Sequence, residues 1–164
     1  MPLIIRPYID AIDRPAMIAL YRAAWHATYD PVDGAAAIDR LIAALLEGDP
    51  PEMFVLPGID TALVAIDGGH IIGGIRGHPR DGVVHLSGVY VHPHHQRSGA
   101  GSALLADLLL RCRPGSVIRA DVRPTSLPAM TFYERHGFEP VGQGRTNSGG
   151  EHWVDTTMMQ RTLK

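Results

Sequence analysis

Residues 61–66, 71–76 and 83–91 form three β-rich runs, joined by Asp67-Gly68-Gly69 and by His78-Pro79-Arg80-Asp81-Gly82. Asp-Gly-Gly is too short for anything but a tight hairpin, so the first two runs lie antiparallel and the third continues a meander. Parallel neighbours would need a crossover of about a dozen residues, so a meander here excludes a sheet built wholly of βαβ units.

Helical patterns flank the meander on both sides. Residues 3–8 read as a first strand. A helix follows from Asp13, with Pro15 near its start and Met17, Leu20, Tyr21, Ala24 and Trp25 on one stripe. Residues 28–34, which include Pro31 and Gly34, are expected to break it. A second helix is expected over 35–47, with Ile38, Leu41, Ile42, Leu45 and Leu46 apolar, and Gly48-Asp49-Pro50-Pro51 stops it. After the meander, the loop 92–98 leads into a third helix through Leu104, Leu105, Leu108 and Leu109, ended by Pro114-Gly115. Residues 117–122 read as a strand. Ser126 opens a fourth helix as a capping hydroxyl before Pro128, and Gly137 closes it. Two last strands are expected near 139–142 and 152–161. The order β-α-α-β-β-β-α-β-α-β-β describes a single mixed α/β domain over 1–164.

Composition narrows the function class. A formal charge of −2 gives no reason to expect nucleic acid, whose binders carry a basic face. Cys112 is the sole cysteine, so no internal disulfide forms and a reducing compartment is expected. Its place on an apolar helical stretch marks it as a small core residue. No secretory leader is visible and no apolar span approaches about 18 residues, so a cytoplasmic protein away from membranes is expected. His92-Pro93-His94-His95 lacks a helical i,i+4 pair and a nearby carboxylate or cysteine, so these read as solvated loop histidines and no metal is expected. His85 or His92 could act in a water relay, but nothing in the sequence selects one.

The chemistry concentrates in Gln96-Arg97-Ser98-Gly99-Ala100-Gly101-Ser102, between a strand and an apolar helix. Glycines at a helix start let a ligand approach the unpaired first-turn N–H groups, which favour an anion, here a pyrophosphate. A plain loop-to-helix turn explains the glycines equally well. A dinucleotide fingerprint fails: Leu104 stands at its third glycine, and the preceding strand ends about seven residues too early for its tight turn.

Residues 89–105 as a whole resemble the signature of the GNAT superfamily of N-acetyltransferases: Val89-Tyr90-Val91-His92-Pro93, then Gln96-Arg97-Ser98-Gly99-Ala100-Gly101, then an apolar helix. Phe132-Tyr133-Glu134-Arg135-His136-Gly137-Phe138 resembles a second family segment at its usual distance. The resemblance covers nearly the whole chain. It implies a central mixed, mostly antiparallel sheet of about seven strands flanked by four helices.

By the same resemblance, acetyl-CoA is the co-substrate and a primary amine of a small molecule or peptide the acceptor. Backbone amides of residues 97–102 would hold the pyrophosphate, with Gln96 leading into that loop. Val89, Tyr90 and Val91 would pair with the pantetheine arm, with Gly88 suited to a bulge there, and an amide near Val91 would polarise the thioester. Tyr133 matches the tyrosine that protonates the leaving thiolate. Ser126 stands where many relatives have Asn, and either contacts the cofactor arm or caps its helix. Asp121 falls where some members place a general base; it could equally orient water or pair with Arg123. A lysine-like amine is neutral only about once in 2,500 molecules at pH 7, whereas an α-amine gives up little more than one pKa unit. A strong base is therefore optional for some acceptors.

Trp25, Tyr29 and Asp30, with residues 145–153 of a Gly-rich loop, are candidates for the acceptor pocket, suited to a cationic amine. Core packing of Trp25 and Tyr29 on one helical face explains them as well. The exposed late strands leave a surface for a homodimer. A non-catalytic acyl-CoA-binding module and a metal-binding domain are the other function classes in view.

Overall fold

The computed structural model describes residues 2–45, 60–147 and 153–164, with the side chain of Asn147 left aside. Its elements are β1 (Ile4–Pro7), α1 (Asp10–Asp33), α2 (Ala35–Leu45), β2 (Thr61–Asp67), β3 (His70–Arg80), β4 (Val83–Val91), α3 (Ala100–Arg111), β5 (Val117–Val122), α4 (Leu127–Arg135), β6 (Glu139–Asn147) and β7 (Trp153–Thr162). One seven-stranded sheet holds them in the order β1-β2-β3-β4-β5-β7-β6. The β4–β5 pair is parallel and the others are antiparallel, in agreement with the expected architecture.

The side-chain period of two sends alternate strand residues to opposite faces, and each face has its own core. Leu63 and Ala65 pack under α3 and α4 with Leu104, Leu105, Leu108, Phe138 and Met159. Val64, between them, packs under α1 and α2 with Met17, Leu20, Trp25, Ile38 and Ile42. Cys112 is partly buried against the first core, its Sγ contacting the Leu108 carbonyl oxygen at 3.4 Å. Burial raises the thiol pKa, which suits packing better than nucleophilic chemistry.

Both hairpins of the meander turn through two residues in the left-handed region, Gly68 and Gly69 (φ 57 and 81) and Asp81 and Gly82 (φ 52 and 78), whose twist matches that of the strands. The second turn is shorter than expected. β3 runs on to Arg80, pairing His78, Pro79 and Arg80 with His85, Val84 and Val83. Pro79 is tolerated because β2 begins opposite Gly77, leaving that stretch of β3 without a second ladder partner among the described residues.

α1 also exceeds its expected bounds. It begins at Asp10 because Asp13 reaches back: its carboxylate accepts from the Ile9 amide at 2.7 Å and from both Nη atoms of Arg6 at 2.7 and 2.8 Å. This pair joins β1 to α1 with Asp13 only 2% exposed. The helix then continues through Pro31 to Asp33 and ends at Gly34 (φ 83), whose amide bonds to the Asp30 carbonyl at 3.0 Å. Pro31 forfeits one backbone bond near the helix end. Contacts from Tyr29, Asp30 and Asp33 hold the last turns in place. β6 extends to Asn147, so Arg145 and Thr146 belong to a strand and not to a loop. The expected stop of α2 at residues 48–51, its end at 46–47, and the loop at 148–152 lie outside the described residues.

The sheet parts at its centre. β4 pairs with β5 only from Val83 to Leu86, opposite Val117 to Ala120. Beyond that, Ser87 and Gly88 together oppose the single residue Arg76 of β3, a bulge with Gly88 at φ 107. A Cβ on Gly88 would lie 2.9 Å from the Tyr90 ring, so glycine is required there for both backbone and space.

Two outcomes follow for stability. Asp13→Asn should cost about 2–3 kcal/mol at pH 7 by leaving the Arg6 guanidinium uncompensated. Arg6 holds the Asp13 carboxyl below its usual pKa. Its contribution is therefore present above the unfolded value near 3.9 and lost as pH falls through the lowered folded value. Urea titrations should show the gap between wild type and variant closing in acid; a gap that stays constant would refute the charge pairing. Gly88→Ala should cost about 1–3 kcal/mol from backbone strain and displacement of the Tyr90 ring, read as a lower Tm with altered near-ultraviolet aromatic signal.

Candidate active site

The parting leaves one edge of Val89, Tyr90 and Val91 bonded to β3 and the other, among the described residues, without a strand partner. Val89 and Val91 turn toward the α3 core, while Tyr90 turns toward α1. A single extended segment of ligand could therefore pair with the free edge.

The N-terminus of α3 opens beside that edge. Gln96, Arg97, Ser98 and Gly99 are exposed, and Ala100 is buried. Arg97 (φ 64) and Gly99 (φ 88) both take left-handed backbone, and Gly99 is the N-cap. The first intrahelical bond runs from the Ala103 amide to the Gly99 carbonyl at 3.0 Å, so the amides of Gly101 and Ser102 have no acceptor within the helix. The Ala100 amide has a weak partner in Ser98 Oγ at 3.4 Å. A Cβ on Gly101 would meet Val89 and Phe132 at 3.5 Å, which locates the helix start between β4 and α4.

Ser126 is the N-cap residue of α4, but its side chain makes no capping bond. The expected capping role is thus corrected: at φ −89 and ψ 74 its backbone departs from the extended geometry from which a cap side chain reaches the first turn.

Tyr133 of α4 is 4% exposed, its ring edge-on to Phe132 at 5.3 Å and to Phe138 at 5.2 Å. Burial, then the nearby Tyr29 phenol, push its pKa well above the ordinary phenol range. Tyr90 is raised in the same way, by burial first and then by Tyr29 and Tyr21. The Tyr29 phenol of α1 thus acts electrostatically on phenols from both β4 and α4.

Around them Tyr21 stacks on Trp25 at 5.4 Å, and Tyr90 stands edge-on to both at 5.2 and 5.9 Å. Trp25 is 2% exposed, and its Nε1 lies near the Tyr90 hydroxyl without a hydrogen bond of good geometry. Asp30 is bonded to His26 Nδ1 at 2.8 Å.

Asp121 is exposed on β5, on the face opposite Ala120 and Val122. Its charge opposes the burial and the Arg119 charge that lower the His85 pKa. The alternative partner considered for it, Arg123, bonds to Asp33 at 2.6 Å and lies 4.5 Å from the Tyr29 ring centroid. Sequence reasoning missed this Arg123–Asp33 pair, which spans 90 positions. The one available signal was a lone arginine immediately after a buried strand. His92, His94 and His95 form a ring cluster, with His92 contacting His94 and His95 at 5.2 and 6.0 Å. Among the described residues no group of three or more His, Cys, Asp or Glu is arranged to hold a metal ion.

Known proteins match this architecture. Over 99% of this chain and 100% of its own, the PaiA N-acetyltransferase of Thermoplasma acidophilum, solved with coenzyme A, superposes with a TM-score of 0.74 at 17% identity, a likeness of fold. yncA from Salmonella typhimurium, solved with its cofactor acetyl-CoA, covers 100% of this chain and 95% of its own at TM-score 0.67 and 26% identity. A phosphinothricin acetyltransferase of Sinorhizobium meliloti, in complex with acetyl-CoA, covers 99% and 89% at 0.63 and 25% identity. No curated protein matches the sequence. The Acetyltransferase (GNAT) family model matches residues 15–138, running from α1 through α4 and so taking in the parted strands, the α3 turn and Tyr133, and the chain belongs to that family.

Proposed function

We propose that the protein is an acetyl-CoA-dependent N-acetyltransferase acting on a primary amine of a small molecule or peptide, by direct attack in a ternary complex. The observation that carries this reading is the loss of β4–β5 pairing beside unpaired first-turn amides of α3. Acetyl-CoA fits those features: the Gly101 and Ser102 amides suit its pyrophosphate, and the free edge of Val89–Val91 suits its amide-bearing arm. The solved acetyl-CoA complexes of yncA and the phosphinothricin acetyltransferase support the same assignment.

When bound, acetyl-CoA supplies an electrophilic thioester carbonyl. The Val91 amide donates toward its oxygen and so stabilises developing negative charge. The acceptor nitrogen forms the new C–N bond as the C–S bond breaks. Tyr133 delivers its hydroxyl proton to the departing sulfur and regains one from solvent. The nitrogen loses its proton to water, with Asp121 as the candidate acceptor. Burial keeps Tyr133 protonated across the neutral range, and the same desolvation raises the pKa of a thiol set beside it, which keeps the transfer within reach. Ser126, free of a capping bond, is available to the cofactor arm.

The same reading takes residues 1–164 as one catalytic domain working in the cytoplasm, without metal or nucleic acid. β6, at the sheet edge, is the strand on which a homodimer would form. Among the described residues no helix is long and apolar enough to cross a membrane.

Tyr133→Phe should lower kcat on the order of 10²-fold with acetyl-CoA affinity retained. Thiol release and calorimetric titration measure the two, and a wild-type kcat would demote Tyr133 to packing. Gly99→Val, forced to φ 88, should weaken acetyl-CoA binding by roughly tenfold or more while unfolding stays cooperative.

A further inference from the structure

The charges at the acceptor side run opposite to what a simple cationic amine would need. One face of the Tyr29 ring, where such a cation would stack, carries the Arg123 guanidinium at 4.5 Å. Both carboxylates in the last turns of α1 have cationic or histidine partners, Asp30 with His26 at 2.8 Å and Asp33 with Arg123 at 2.6 Å. Donors, by contrast, are in surplus. Arg123 has a side chain only 16% exposed, and of its five N–H groups a single Nη1 bond goes to Asp33. Its Nε and Nη2 have no hydrogen-bond partner among the described residues.

We propose that Arg123 recognises an oxyanion on the acceptor, so that the amine acetylated is a small zwitterion, an amino acid or close analogue. This rests on the acetyltransferase reading above and deepens it. A planar fork with two nitrogens left over from the Asp33 pair matches a carboxylate. The Tyr29 ring under Arg123 also acts electrostatically on the Tyr133 phenol, so the oxyanion site and the proton donor lie near one residue and the acceptor is short. An amine lacking the oxyanion would bury the free Arg123 donors unpaired, and that loss is what discriminates against it.

The test is acetyl-CoA thiol release with matched sets: each common L-amino acid, its amide, its decarboxylated amine, and a C-terminally amidated peptide. The expected result is a kcat/KM for the best acids roughly 10–100-fold above their amides. In Arg123→Gln that ratio should collapse toward one through a raised KM for the acid alone. Arg123→Gln also loses the Asp33 pair and could fold poorly, so a milder variant accompanies it. Arg123→Lys keeps the charge and can keep the Asp33 pair but not the fork, and should lower the ratio through the acid's KM while its Tm stays near wild type. Amides, decarboxylated amines or the peptide used as well as the acids would overturn this proposal and leave the acetyltransferase reading standing. An unchanged ratio in Arg123→Lys would reduce Arg123 to a structural partner of Asp33. No turnover of any acceptor despite bound acetyl-CoA would remove both readings.

Discussion

The separation of β4 from β5 is the constraint on which the rest depends. A parallel pair in mid-sheet would ordinarily satisfy both backbones along its length, and here the ladder stops at Leu86 and Ala120. Backbone groups at Val89–Val91 then face a gap at the centre of the molecule, where leaving polar groups unpaired is costly. The cause is local: two residues of β4 against one of β3, accommodated by a left-handed glycine. The consequence is a slot whose walls are main chain, able to bind an extended amide-bearing ligand through groups the sheet would otherwise consume.

The two-sided core decides which side chains reach that slot. α3 and α4 cover one face and α1 and α2 the other, so a gap in the sheet is accessible to both layers. Tyr133 approaches from α4, Tyr29 from α1, and Tyr90 rises from the parted strand itself. Burial raises the pKa of both Tyr90 and Tyr133, keeping both hydroxyls neutral at neutral pH. A charged donor in that place would repel the cationic form of an arriving amine and would have to be desolvated.

Ion pairs fasten the helices whose positions matter most. Asp13 and Arg6 fix the start of α1 against β1, while Asp33 and Arg123 fix its end against β5. Between them, the helix carries Tyr21, Trp25 and Tyr29 on successive turns. The two ends are not equivalent. Arg6 gives both Nη atoms to Asp13, whereas Arg123 gives Asp33 one and keeps others in reserve. A purely structural clamp has no need of that reserve.

The local elements were legible in the residues themselves. Periodicities of 2 and 3.6, Asp67-Gly68-Gly69, the glycines before α3 and the Phe132–Phe138 segment act over a few positions, so the order of elements, Gly88 as a bulge site and the turn that opens α3 all read directly. The misreadings occurred where distant contacts overrule local preference. Pro31 should end a helix, but the contact of its last turn with Arg123 holds it together. Pro79 should leave the ladder, but with a single ladder partner among the described residues it is tolerated, and Ser126 should cap, but its backbone takes another course. Arg123 and Asp33 carried no visible sign, because an arginine's meaning lies in which carboxylate it meets and how many donors remain. The sequence by itself determined the elements and the glycine turn before α3, since those energies are short-range. Tertiary structure alone decided the charge balance at the end of α1, since it depends on residues far apart in the chain closing on one tyrosine.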